Sequence, residues 1–157
     1  MIEAITNARE ELKRVDHLIF VSLKYTRTVD VLKNVIERMI NTIEFGVESL
    51  LILLKEEKKI FDVPSSHKEK IDVVLKYFPD DQKVIDFMNF YQELRKIRRA
   101  QYDKREEFRK HVTMIATLDD GKVVEFDIEK AMQYNDNIIS FIDYIDEKVT
   151  GGKKEDD

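Results

Sequence analysis

The chain has 157 residues, 43% of them apolar and 38% charged, with four glycines, two prolines, no cysteine and a formal net charge of −5. That length supports one domain with a real core, while so few glycines and prolines exclude collagen-like, linker-rich and many-turned all-β architectures. The absence of cysteine removes disulfides, thiolate nucleophiles and thiolate-rich metal sites, and fits a reducing compartment.

In chain order, Ile2, Ile5, Ala8, Leu12, Val15 and Ile19 recur at spacings of three and four, which predicts an amphipathic helix from Ile2 to about Leu23. From His17 to Tyr25 the residues are apolar nearly all round, so this stretch is either a deeply buried last turn or an irregular connection. Thr26 or Thr28 then supplies an N-cap before Asp30. A long helix follows, with one apolar face from Leu32 to Leu54 and Gly46 beside it, where a neighbouring helix would approach closely. Phe45 and Ile52 lie beyond the main stripe and point to a homodimer.

Asp62 to Ser66 reads as a loop whose serines cap a shorter helix from His67 to about Phe78. Pro79-Asp80-Asp81 restarts the chain, and the stripe Val84, Phe87, Met88, Tyr91, Leu94 and Ile97 predicts a helix continuing to about Lys110. From Val112 to Phe126 the period changes, and β-branched residues flank Asp120-Gly121, the signal of a tight hairpin. Asp127 caps a last helix that presents Ile128, Ala131, Met132, Ile138, Ile139, Ile142, Ile145 and Val149, with Tyr134 and Asn135 within it, and Gly151-Gly152 stops it. The expected fold is all-α, an antiparallel bundle of four to five helices with one small β-hairpin before the last helix. One domain would cover residues 1–150, and residues 151–157 would form a flexible tail.

The opening Met1-Ile2-Glu3-Ala4 reaches charge at once and shows no secretory h-region, and the apolar run from Leu50 to Leu54 is too short to span a bilayer. A cytoplasmic protein without membrane contact is therefore expected. There is no Gly-rich phosphate loop, no H-E-x-x-H, no EF-hand loop and no nucleophile elbow, so no cofactor and no metal site are expected.

Chemistry concentrates between Arg95 and Lys110, where eight basic residues stand against three acidic ones on a chain that is acidic overall. Arg95, Arg98, Arg99, Tyr102, Arg109 and Lys110 are candidate nucleic-acid contacts, since Lys and Arg neutralise phosphates and release counterions. Phe90, Tyr91, Tyr102 and Phe108 lie in or near the segment and are candidates for stacking on bases. The competing reading is a solvated face with internal ion pairs through Asp103, Glu106 and Glu107. Of the three histidines, His17, His67 and His111, the last stands next to this cluster. An imidazole that titrates near neutrality beside a guanidinium would act on a ribose 2′-hydroxyl, with Arg105 as phosphate clamp and His111 as acid–base group.

The order of long helices, the His67-Lys68 helix start, the phrase Leu94-Arg95-x-x-Arg98-Arg99-Ala100-Gln101-Tyr102-Asp103 and a closing helix with Ala131 and Phe141 resemble the HEPN superfamily of prokaryotic helical bundles. The resemblance covers most of the chain. It implies a homodimeric helical module that binds RNA or partners a small nucleotidyltransferase, as in toxin–antitoxin pairs. In members with an Arg and a His separated by four to six residues, a spacing that Arg105 and His111 fit, it implies a metal-independent endoribonuclease with a composite site across the dimer. Glu106 departs from the small polar residue that commonly follows that arginine.

Overall fold

In a computed structural model, which describes residues 2–151, five helical rods surround one connected cluster of buried side chains, with a three-stranded antiparallel sheet before the last helix. The first rod begins as α1 (Ile2–His17), passes through a π-helical turn (Leu18–Ser22) and ends as α2 (Leu23–Tyr25). The wider turn resolves the all-round apolar stretch into two faces. Ile19 and Leu23 enter the core, while Phe20, Val21 and Tyr25 remain exposed. Thr28 is the cap that follows, its hydroxyl accepting from the Val31 amide at 3.3 Å.

The hub is α3 (Val29–Glu56), which buries half of its 28 residues and packs against α1, the π turn, α4 (His67–Tyr77), α5 (Gln82–Arg99), β2 (Thr113–Thr117) and α6 (Ile128–Thr150). Gly46 marks the tightest approach. A Cβ built there would lie 3.1 Å from Ile142 Cδ1, 3.2 Å from Phe87 Cζ and 3.4 Å from Ile145 Cδ1, so the glycine lets α5 and α6 close on α3. Phe45 and Ile52, expected to face a second copy, are half-buried within one chain. Arg9 on α1 ties to α6 through Asp143 and Asp146, and Glu11, nearly buried on the same helix, is held by Arg14 and Arg38.

Capping sets the remaining helix starts. Ser66 accepts from the Glu69 amide at 3.2 Å and Asp81 from the Val84 amide at 3.2 Å. The second Asp81 oxygen accepts from Tyr144 Oη at 2.7 Å and pairs with Lys148 at 3.0 Å, which binds the start of α5 to α6. Burial alone would raise the Asp81 carboxyl, but the bonds from Tyr144, Lys148 and the Val84 amide hold it below the usual carboxylate range.

The helix expected to reach Lys110 instead ends at Arg99. Ala100 turns extended, at φ −71° and ψ 152°, and Gln101–Arg105 becomes β1, paired antiparallel with β2 from Gln101 opposite Thr117 to Arg105 opposite Thr113. The expected hairpin is present as β2 and β3 (Val123–Asp127), so the sheet order is β1-β2-β3. Gly121 sits at φ +87° in the connecting turn, where an L-residue would be strained. Alternation puts Tyr102, Met114, Ala116, Val124 and Phe126 on the inner face, and Phe126 meets Tyr134 at 5.6 Å in an aromatic cluster that continues through Phe90 to Phe141 and Phe87.

Asp127 caps α6 by accepting from the Lys130 amide at 2.8 Å, and Gly151, left-handed at φ 64°, closes it through a bond to the Glu147 carbonyl. Met132, expected on the buried face, is exposed, and Asn135 is buried and donates to Asp16 at 2.9 Å. Apart from Gly151, the expected tail lies outside the described residues. Among the described residues no helix is long and apolar enough to cross a membrane, and no group of three or more His, Cys, Asp or Glu converges as a metal site.

Candidate nucleic-acid interface

The basic segment is divided at the end of β1, and its two parts are electrostatically different. In the first part four of the six cations have a carboxylate partner, and Lys96 is exposed without one among the described residues. Arg98 bonds Glu37 at 3.2 Å, Arg99 pairs with Asp119 at 3.6 Å, Lys104 with Glu107 at 3.5 Å and Arg105 with Glu125. Arg95 lies over the Tyr91 ring at 5.7 Å, with its Nε buried and without a hydrogen-bond partner. The aromatic residues of this part are also committed. Tyr91 is buried, Phe90 belongs to the aromatic cluster, and Tyr102 is half-buried beneath Lys33, whose ammonium sits 4.5 Å from its ring centre.

The second part, Arg109-Lys110-His111, is exposed, and no ion pair engages its side chains among the described residues. It lies in the connection between β1 and β2, where Glu106 and Phe108 take positive φ of 54° and 68°. Such backbone costs about 1–3 kcal/mol per residue and persists only where surrounding contacts hold it. Here the connection is fastened to the segment before α3. The Phe108 amide donates to the Arg27 carbonyl at 2.7 Å, and Glu107 accepts from the Val29 amide at 2.8 Å, acting as a second cap of α3. These bonds carry Arg109–His111 across to the end of the first rod, where Lys24 and Arg27 also have no carboxylate partner among the described residues.

Between these elements opens a hollow of about 380 Å³. Its floor is apolar, from Ile19, Phe20 and Leu23 of the π-helical rod and Ile128 and Met132 of α6. Lys24, Arg27, Lys110 and His111, with Asp127 and Glu129 at the start of α6, supply its charged and polar lining. The Asp127 carboxylate is engaged as the cap, whereas Glu129 has no partner among the described residues. A π-helical turn inside an α-helix is frequent at functional sites, because the inserted residue re-aims neighbouring side chains.

Arg105 and His111 have different surroundings. Arg105 lies on the outer face of the sheet, its guanidinium paired with Glu125 of β3, while His111 lines the hollow beside Lys110 and Arg27. The His111 carbonyl accepts from Thr113 Oγ1 at 2.8 Å, which fixes its backbone and leaves the imidazole exposed.

A second polar cluster joins three helices and had no signature in the sequence. Tyr91 Oη on α5 donates to Glu44 Oε2 on α3 at 2.8 Å, and His67 Nδ1 at the start of α4 lies 3.1 Å from the same hydroxyl. A hydroxyl carries one proton, so while Tyr91 donates to Glu44 the His67 ring can engage the same oxygen only as a donor. Burial first, and then the Glu44 carboxylate, push the Tyr91 hydroxyl above its usual range. The cluster borders a hollow of about 310 Å³ that also takes in Glu11, Glu48 and Lys70. With this geometry established, comparison with known proteins adds nothing to it: the chain matches no family model, no curated protein and no solved structure.

Proposed function

We propose that this chain is a HEPN-like helical binding module that contacts single-stranded RNA through Lys24, Arg27, Arg109 and Lys110. The observation that carries the reading is the contrast in charge compensation. Arg98, Arg99, Lys104 and Arg105 are matched by carboxylates of the same chain, while Lys24, Arg27 and Lys110 line one hollow, with Arg109 next to Lys110 in the chain, and none of these four has a carboxylate partner among the described residues. Uncompensated Lys and Arg are the groups that neutralise phosphates and release counterions. RNA is preferred to a nucleotidyltransferase partner because three of these cations line a hollow with an apolar floor and an exposed aromatic ring, Phe20, the pairing that single strands use.

The test is the salt dependence of binding to a fluorescein-labelled single-stranded RNA. Each phosphate contact contributes roughly 0.7 to the slope of log affinity against log salt, so replacing all four cations with Ala should flatten it by up to roughly 2.8. Arg98→Ala with Arg99→Ala, which removes cations already paired, should change the slope much less. Equal effects of the two sets, or association indifferent to salt, would refute the reading. The enzyme version assigns acid–base work to His111 and phosphate stabilisation to Arg105. It requires RNA cleavage in EDTA that His111→Ala abolishes.

A further inference from the structure

We propose that the hollow beside the π-helical turn receives one unstacked nucleotide of that RNA, with the base against Phe20, Ile128 and Met132 and its phosphate on Arg27 and Lys110. This rests on the RNA-binding reading and adds a base-recognition site to it. At about 380 Å³ the hollow lies at the small end of the roughly 300–1,000 Å³ range of small-molecule sites, which suits one nucleotide and not a stacked run. Phe20 and Met132 stay 52% and 42% exposed in the lining of one hollow, apolar surface that an inserted base would cover.

Charge complementarity selects the occupant. An acyl chain would satisfy the floor but leave Glu129 facing a ligand without N–H donors. A nucleotide satisfies all three parts, because its ring covers the floor, its phosphate meets the cations and its base edge donates to the carboxylate. Among the bases, guanine presents two adjacent N–H donors, N1–H and N2–H, that match the two oxygens of a carboxylate. The nucleotide is therefore guanosine in preference to uridine. The positive φ values at Glu106 and Phe108 have a role in this assignment, since that backbone keeps Lys110 and His111 in the lining.

Three single-stranded probes of equal charge separate the contributions: octauridylate, the same octamer with one central guanosine, and an abasic ribose-phosphate octamer. Stacking of a base on an aromatic ring corresponds to roughly 5- to 150-fold in affinity, so the guanosine probe should exceed the abasic one by that range with parallel salt slopes. Phe20→Ala, at a half-exposed position where folding is retained and checked by melting temperature, should collapse that difference and leave abasic binding unchanged. Glu129→Gln should abolish the preference for guanosine over uridine while affinity for the abasic octamer does not fall. If all three probes bind equally, the phosphate reading stands and the nucleotide site is overturned. If none binds, both fall. If bases make no difference and Phe20→Ala dissociates a dimer in sedimentation velocity, the hollow belongs to a second copy and the proposal is overturned.

Discussion

Replacing Gly46 with Ala measures how tightly α5 and α6 close on α3. The added methyl would stand 3.1 Å from Ile142 Cδ1 and 3.2 Å from Phe87 Cζ, inside the ~3.5–4.0 Å optimum for carbon contacts. Ile142 is fully buried and Phe87 and Ile145 are 1% exposed, so each can yield only by displacing other core atoms. Overpacking of this kind costs about 1–3 kcal/mol. Against it stands the gain in helix propensity on leaving glycine, about 1 kcal/mol. The expected net result is a loss of about 0–2 kcal/mol, read as a lower urea midpoint by far-ultraviolet circular dichroism with an unchanged slope. Removing the obstructing methyl should relieve the strain, so Ile142→Val in the Gly46→Ala background should show a favourable coupling of at least about 0.5 kcal/mol in a double-mutant cycle. Stabilisation of Gly46→Ala by the full propensity difference, with no coupling to Ile142, would show that the helices are not in close contact and refute the packing argument.

Two further outcomes follow from the polar contacts. The Asp81 carboxyl is held below its ordinary value of 3.8, so its contribution to stability is complete above that value and is lost as pH falls through the lower folded-state value. The stability gap between the protein and Asp81→Asn should therefore be constant from neutrality to about pH 5 and narrow below about pH 4; a gap that widens on acidification would contradict the assignment. Glu107→Ala removes the carboxylate that the Val29 amide donates to, which should speed amide exchange in the first turn of α3 and weaken RNA binding without changing the four cations. Unchanged exchange at Val29 would exclude Glu107 as the fastening point.

The helices were legible wherever local chemistry and tertiary packing agree. The stripe from Leu32 to Leu54 became the buried face of α3, and Thr28, Ser66 and Asp127 became caps because each short polar side chain satisfies an amide that the first helical turn leaves unpaired. The close approach at Gly46 was also readable, since a glycine beside an apolar face of β-branched and leucine residues loses propensity without a local reason. Illegible was the end of α5. No glycine or proline separates Arg99 from Tyr102, and Gln101–Arg105 carries only one apolar side chain, so the segment has a helix-compatible composition and no strand period. It is extended because β2, a dozen residues further on, offers it a ladder, and that decision is non-local.

The same non-local decision relocates the candidate site. Had α5 continued to Lys110, its cations would have lined one helix and shared the ion pairs of its surface. Arg98, still on α5, pairs with Glu37 of α3, while the turn at Ala100 lets the sheet bring Asp119 to Arg99 and Glu125 to Arg105. The chain then returns through Glu106 and Phe108, whose left-handed backbone has no glycine to announce it, and is fastened to Arg27 and Val29 of a segment some eighty residues earlier. Lys110 and His111 thus meet Lys24, Arg27 and the π-helical turn, a juxtaposition that no spacing within either segment encodes. Net charge along the sequence therefore does not show which cations the fold leaves without a carboxylate partner. The charge open to a ligand is what remains after the fold has paired the rest, and part of that remainder lies at the end of the basic segment and on the first rod.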